Sequence, residues 1–315
     1  MELKSRHLLG LENMPQSDIK LLLDTAFSFK KVLKRSIPKV PTLRGKTVVN
    51  LFFEPSTRTR FSFELAEKRL SADTVNFSAS SSSVLKGETL KDTIRNIESM
   101  KIDMIVMRHS SPGAALYLSH CVKAAVINAG DGGHEHPTQA LLDMMTIQEK
   151  LGRIQDLNVV IIGDVKHSRV CRSNIFGLKT MGAKVGVCGP GPLLPRDIEQ
   201  LGVTIYPTVE DAIAEADILN ILRIQLERQK GGLFPSLREY RNLYGITRER
   251  ISQANKKLCI MHPGPMNRGV EIDSEVADGD HSVILKQVTN GVAVRMAALY
   301  LLSGKEANKI IKESS

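Results

Sequence analysis

The sequence predicts an α/β protein of two domains, each a parallel sheet flanked by helices, with a C-terminal helix crossing back to the first domain. Three observations carry this. Short β-branched runs alternate with helical patterns along the chain, the signature of parallel sheets covered on both faces. The 315 residues, 42% of them apolar, exceed the roughly 100–200 residues of one domain and suffice for two cores. A helical stretch over residues 137–150 leads into a glycine and then a fresh strand, a natural bridge between two halves.

In the first half, strands are predicted over residues 47–53, 74–77, 102–107 and 125–128, with helices around 62–70, 88–100 and 113–121. In the second half, residues 158–163, 184–188, 203–206, 218–222 and 258–261 read as strands. Two sheets of four or five strands are favoured over one of nine. Thr208-Val209-Glu210-Asp211 opens the helix before one of these strands with a capping-box signal. Residues 291–302 form an apolar helix long enough to return to the first half. The predicted division is therefore 1–150, 151–290 and a C-terminal helix within 291–315 that packs on the first domain. The serine-rich stretch 78–83 has few apolar anchors and reads as a mobile loop.

Composition removes several classes. Disorder, collagen and disulfide scaffolds do not fit this apolar share and four scattered cysteines, and no C-x-x-C pair suggests a metal site. No apolar run approaches the roughly 18 residues of a spanning helix, and the N-terminal residues lack a signal-peptide core, so a cytoplasmic, membrane-free protein is expected. The net charge of +9 favours anionic partners. Part of the excess lies in residues 223–257, with nine basic and three acidic side chains around Gly231-Gly232 and Pro235, read as a long loop with short helices. Two features argue against a nucleic-acid partner for this patch: aromatics are 4% of the chain, and no helix-turn-helix or RNP pattern appears. A dinucleotide reading of the strand before Gly163 fails because the turn carries one glycine where G-x-G-x-x-G needs three.

The most informative segment is Phe52-Phe53-Glu54-Pro55-Ser56-Thr57-Arg58-Thr59-Arg60. It places hydroxyls and guanidinium groups directly after a strand and at the start of a helix. Unpaired N–H groups and the partial positive charge there, joined by Ser56, Thr57, Arg58 and Thr59, make a phosphate cradle. Arg58 can fork two phosphate oxygens. His136, before Pro137 and after a glycine-rich turn, lies at the carboxyl end of a strand, where open α/β sheets place ligands. Asp164 is expected either to orient Lys166 or Arg169 or to cap the following helix.

These residues resemble the carbamoyl-phosphate signature of the aspartate and ornithine carbamoyltransferases. The family's order continues through Lys86-Gly87-Glu88-Thr89, Met107-Arg108-His109, His136-Pro137-Thr138-Gln139, Gly163-Asp164-Val165-Lys166-His167-Ser168-Arg169, Arg223-Ile224-Gln225 and His262-Pro263-Gly264-Pro265. The resemblance implies carbamoyl transfer from carbamoyl phosphate, with no metal and no organic cofactor. It implies that Thr59, Arg108 and His136 direct donors at the carbonyl oxygen, that Gln139 holds the carbamoyl amide, and that Pro263 and Gly264 offer backbone carbonyls to substrate amino groups. The aspartate branch fits better than the ornithine branch, which usually carries a cysteine in the late motif, although an ornithine-type or other amino-acid acceptor is the alternative. Ser82, Lys86, Arg169, Arg223 and Gln225 resemble the aspartate-binding residues. In this family the serine and lysine reach a neighbouring subunit's site, implying a homotrimer with shared sites. Regulatory chains and dihydroorotase are partners that some relatives take. Many relatives have Leu where Gly264 stands, which affects pocket contour; a main-chain acceptor tolerates the change.

Overall fold

The computed structural model describes residues 3–78, 89–225, 236–252, 254 and 257–304. The chain divides into two compact units, Met1–Met145 with Thr289–Ser315, and Thr146–Val288.

The first unit holds a four-stranded parallel sheet in the order β2-β1-β3-β4, built from β1 (Thr47–Phe52), β2 (Asp73–Ser78), β3 (Met104–His109) and β4 (Ala125–Asp131). Around it lie α1 (Gln16–Leu33), α2 (Thr57–Arg69), α3 (Leu90–Ser99) and α4 (Ala114–Cys121). Strand residues Val49, Leu51, Ile105, Met107 and Val126 are buried against Ile94, Ala115 and Leu118, forming one apolar layer. A strand wrapped on both faces needs such continuous runs.

Around this sheet, three elements differ most from expectation. Helix α2 begins at Thr57, five residues before the apolar pattern starts, because its first turn is polar and its first buried residue is Phe63. Ser56 is its extended N-cap. Strand β4 continues to Asp131, since the polar Asn128 and Asp131 that end the apolar run are themselves buried and hydrogen-bonded. Helix α1, with Ile19, Leu22, Leu23, Ala26 and Phe29 buried at helical spacing, was absent from the expected elements.

The second unit holds a five-stranded parallel sheet in the order β7-β6-β5-β8-β9, from β5 (Asn158–Ile162), β6 (Lys184–Cys188), β7 (Thr204–Ile205), β8 (Ile218–Ile221) and β9 (Cys259–Met261). Its helices are α6 (Arg169–Thr180), α7 (Val209–Glu215), α8 (Leu237–Tyr244), α9 (Arg248–Ser252) and α10 (Ser274–Ala277). Thr208 caps α7 by accepting from Asp211 N at 3.1 Å, as its capping-box signal predicts. Short helices α8 and α9 sit within the basic stretch.

The chain leaves the first unit within α5 (Pro137–Leu151) and returns within α11 (Ile284–Leu302), which starts seven residues before the expected helix. From Thr289 onward α11 belongs to the first unit. Buried Arg295 fixes it there: Nη1 donates to Ser62 Oγ of α2 at 2.9 Å and the guanidinium lies 5.1 Å over the Phe63 ring. Asn290 accepts from Lys30 of α1 at 2.6 Å, and Tyr300 meets Phe29 edge-on. No described helix is long and apolar enough to cross a membrane.

Candidate active site

Open parallel sheets bind ligands outside the carboxyl ends of adjacent strands whose connections run in opposite directions. In the first unit that point lies between β1 and β3: β1 leads out to β2, and β3 leads the other way to β4. The register sets Phe52 beside Arg108, and Phe53 N donates to Arg108 O at 2.9 Å, so the loop before α2 and the end of β3 lie side by side.

Ser56, Thr57, Arg58 and Thr59 occupy the N-cap and first turn of α2. The Ser56 side chain makes no cap hydrogen bond, and no acidic residue lies in that turn. Arg58 and Thr57 are exposed, while Thr59 is half-buried. Arg108 is held on two sides, with Nε 3.2 Å from Glu54 Oε2 and Nη1 donating to Ala129 O at 3.2 Å. Its guanidinium therefore has a fixed direction at the carboxyl edge of the sheet.

His136 is buried at the N-terminus of α5, where Pro137 begins the helix. The loop that carries it is built on polar side chains. Asn128 Nδ2 donates to Asp131 Oδ1 at 2.7 Å and to Leu9 O at 2.8 Å, and Asp131 Oδ2 accepts from Gly113 N at 2.7 Å. Glu135 accepts from the backbone of Leu11 at 2.8 Å and Glu12 at 3.1 Å. Gly10 must be glycine for this: a Cβ there would come within 2.3 Å of the Glu135 carboxylate. Gln139 stands one turn into α5 with Nε2 donating to Asp143 at 3.0 Å. Ser82 and Lys86 lie outside the described residues.

In the second unit the reversal lies between β5 and β8. The loop after β5 turns at Gly163, whose φ of 124° favours glycine, and a Cβ there would be 3.1 Å from Leu222 O. Asp164 is fully buried and ties this loop to the one after β8: Oδ1 lies 2.8 Å from His167 Nδ1, and Oδ2 accepts from Gln225 N at 3.4 Å. Gln225 Nε2 returns a bond to His167 O at 3.1 Å. The cap of α6 is Ser168, accepting from Cys171 N at 3.1 Å, and not Asp164 as one expectation had it. Arg169 is buried at the first position of that helix, and Arg223 is half-buried at the end of β8. Pro263 and Gly264 follow β9, with Gly264 at φ 59°. The structure thus groups Arg169, Arg223 and Gln225 on two linked loops of one sheet.

Several residues escaped the sequence reading. Glu54 orients Arg108; Asn128, Asp131 and Glu135 shape the His136 loop; His167 is the side chain that the expected Asp164 meets, where Lys166 or Arg169 was expected. Their neighbourhood in the quoted motifs was the available signal. Glu12, His134 and Glu135 bring ligand atoms within 4.8 Å of one another. Both Glu135 oxygens accept backbone N–H groups and His134 Nδ1 faces Asp131 at 3.1 Å, so two of these three side chains hold the loop. Burial pushes the thiols of Cys171 and Cys188 up to about 12 and that of Cys259 to about 11, so none of these three is a ready nucleophile.

Two family models match the chain: the carbamoyl-P binding domain of aspartate/ornithine carbamoyltransferase over residues 6–149, and the Asp/Orn binding domain over 155–302. The aspartate carbamoyltransferase catalytic subunit of Halothermothrix orenii is 60% identical over 308 residues, 98% of each chain. That of Gemmatimonas aurantiaca is 62% identical over 299 residues, covering 95% of this chain and 94% of its own. Among solved structures, the aspartate transcarbamoylase of Trypanosoma cruzi in complex with carbamoyl phosphate and aspartate matches with TM-score 0.86 and 32% identity, over 95% of this chain and 97% of that one. Both halves and nearly the whole length agree, and the chain belongs to the aspartate/ornithine carbamoyltransferase family.

Proposed function

We infer that the chain transfers the carbamoyl group of carbamoyl phosphate to the α-amine of L-aspartate, giving N-carbamoyl-L-aspartate and phosphate. The observation that carries this is the polar first turn of α2, Ser56–Thr59, set beside the oriented Arg108 at the strand reversal of the first sheet. Near-full-length relatives named for the aspartate reaction favour aspartate over ornithine. So does the cationic pair Arg169 and Arg223 in the second unit, since aspartate brings two carboxylates and ornithine a cationic side chain.

The substrate is already activated by its phosphate, so orientation and charge stabilisation do the work. Ser56, Thr57, Arg58 and Thr59 hold the phosphate. Thr59, Arg108 and His136 donate to the carbonyl oxygen as it gains negative charge, and Gln139 steadies the carbamoyl amide. The amine lone pair forms the new C–N bond, the tetrahedral intermediate expels phosphate by breaking the C–O bond, and phosphate takes the amine proton. Arg169, Arg223 and Gln225 hold aspartate, and Pro263 and Gly264 accept from substrate amino groups. His136 serves as donor.

The reading extends to a cytoplasmic homotrimer in pyrimidine biosynthesis, with Ser82 and Lys86 completing a neighbour's site. Its domains are 1–150 for carbamoyl phosphate, 151–290 for aspartate, and a terminal helix from 291. Phe61 and Leu65, exposed four residues apart on α2, supply apolar surface for such an association. A coupled assay of phosphate release from carbamoyl phosphate tests the reaction. Turnover with aspartate and none with ornithine is expected; the reverse preference, or no turnover with either, overturns it.

A further inference from the structure

We propose that His262 and Glu271 are positioning residues that aim the Pro263 carbonyl, deepening the aspartate carbamoyl-transfer reading on which this rests. His262 follows β9 and is 2% exposed, and the side chains of both residues are fully buried. Its Nδ1 accepts the Gly264 N–H at 2.7 Å. A neutral imidazole that accepts at one nitrogen carries its proton on the other. That other nitrogen, Nε2, lies 3.3 Å from Glu271 Oε1, which also accepts from Asn267 N at 2.5 Å. The His262 backbone N–H is held in turn by Gln287 Oε1 at 3.0 Å. Ring, carboxylate and backbone thus fix one tautomer and one ring orientation.

The consequence runs through the peptide plane. Gly264 N–H and Pro263 C=O belong to one rigid unit, and in the trans form they point in opposite directions. The cis bond of this turn is the next one, Gly264–Pro265. By gripping Gly264 N–H, the imidazole sends the Pro263 carbonyl away from the protein interior side that holds His262. Glu271 is the partner that makes Nδ1 an acceptor; with the proton on Nδ1 instead, two N–H groups would face each other and the turn would rotate. A buried carboxylate is costly unless hydrogen-bonded, and here its bonds set a tautomer at the neck of a substrate-binding turn.

The test is a pair of isosteres. In His262→Asn the amide oxygen stands where Nδ1 was and keeps the Gly264 bond; in His262→Gln the amide stands where Nε2 was and loses it. The Asn variant is expected to keep kcat/KM within about threefold of the parent, and the Gln variant to lose about tenfold or more at similar melting temperature. Equal loss in both, or none in either, overturns the proposal. Long-range 1H–15N spectra of histidine-labelled protein provide a readout independent of turnover. The signal absent from His262→Asn is expected to show the Nε2–H tautomer, shifting in Glu271→Leu; an Nδ1–H or doubly protonated ring overturns the proposal. Failure of the parent to turn over aspartate would sink the functional reading alone, with the spectrum still deciding the tautomer.

Discussion

Arg108 owes its direction to Glu54 and the Ala129 carbonyl, so in the proposed role its charge is aimed before substrate arrives and needs no reorganisation during reaction. Losing one such donor costs about 2.7–4 kcal/mol of barrier, or roughly 10²–10³ in rate. Arg108→Ala should lower kcat by that factor in steady-state phosphate-release assays, with little change in melting temperature. Behind α2 a second residue makes a different prediction. Glu67 is fully buried, accepting from Asn50 Nδ2 at 3.0 Å, and burial raises its carboxyl to about 7 against the hydrogen bonds of Thr74 and Asn50. A carboxyl raised on folding keeps its proton to higher pH in the native state, so its contribution is full below the unfolded value near 4.5 and is lost as pH rises through about 7. Glu67→Gln, which mimics the protonated form, should flatten that dependence and gain on the order of 1–3 kcal/mol over the parent at pH 8 relative to pH 4.5, read from urea unfolding. Neither Glu67 nor Glu271 was legible in the sequence. A Glu within a polar helix or loop reads as solvated, and only the fold reveals the Asn50 or His262 it meets.

At the scale of elements, legibility followed burial. Strands β1, β3, β5 and β8 are mostly apolar and buried and were placed to within a residue or two, because short runs with β-branched residues fit a sheet core. Helix starts fared worse. Thr57–Arg60 carries no apolar stripe, yet those residues form the turn that the proposed phosphate site needs. Helix α11 likewise begins with Leu285 and Val288 exposed, so its pattern is blurred where it starts. Its later turns are pinned by Arg295, whose burial lowers the guanidinium to about 10 while Asp143 opposes the shift. A buried cation stacked on Phe63 and bonded to Ser62 cannot be truncated cheaply. Arg295→Ala should destabilise the protein by roughly 3–5 kcal/mol in denaturant titration. A change under about 1 kcal/mol would show that α11 is held by its apolar contacts alone.

For the whole molecule, two parallel sheets follow from strand number and length, whereas the chain's second crossing, inside α11, depends on contacts far apart in sequence such as Lys30 with Asn290. The net charge of +9 favours capture of two anionic substrates and makes their association salt-dependent. The proposed trimer adds a demand that one chain cannot meet. Lys86 has a basic side chain just beyond the serine-rich stretch 78–83, which has few apolar anchors, and the family resemblance sends it to a neighbour's site. His136, by contrast, is buried in its own unit at the start of α5. If one site takes Lys86 from one chain and His136 from another, Lys86→Ala and His136→Ala homotrimers are each inactive at every site. Mixed trimers then contain some sites in which both defects fall together and others in which neither does. Reversible dissociation and reassembly of an equimolar mixture should therefore recover a fraction of parental activity, rising with the extent of exchange measured by native mass spectrometry. Exchange without recovery would place both residues in the same chain's site and remove the shared-site reading.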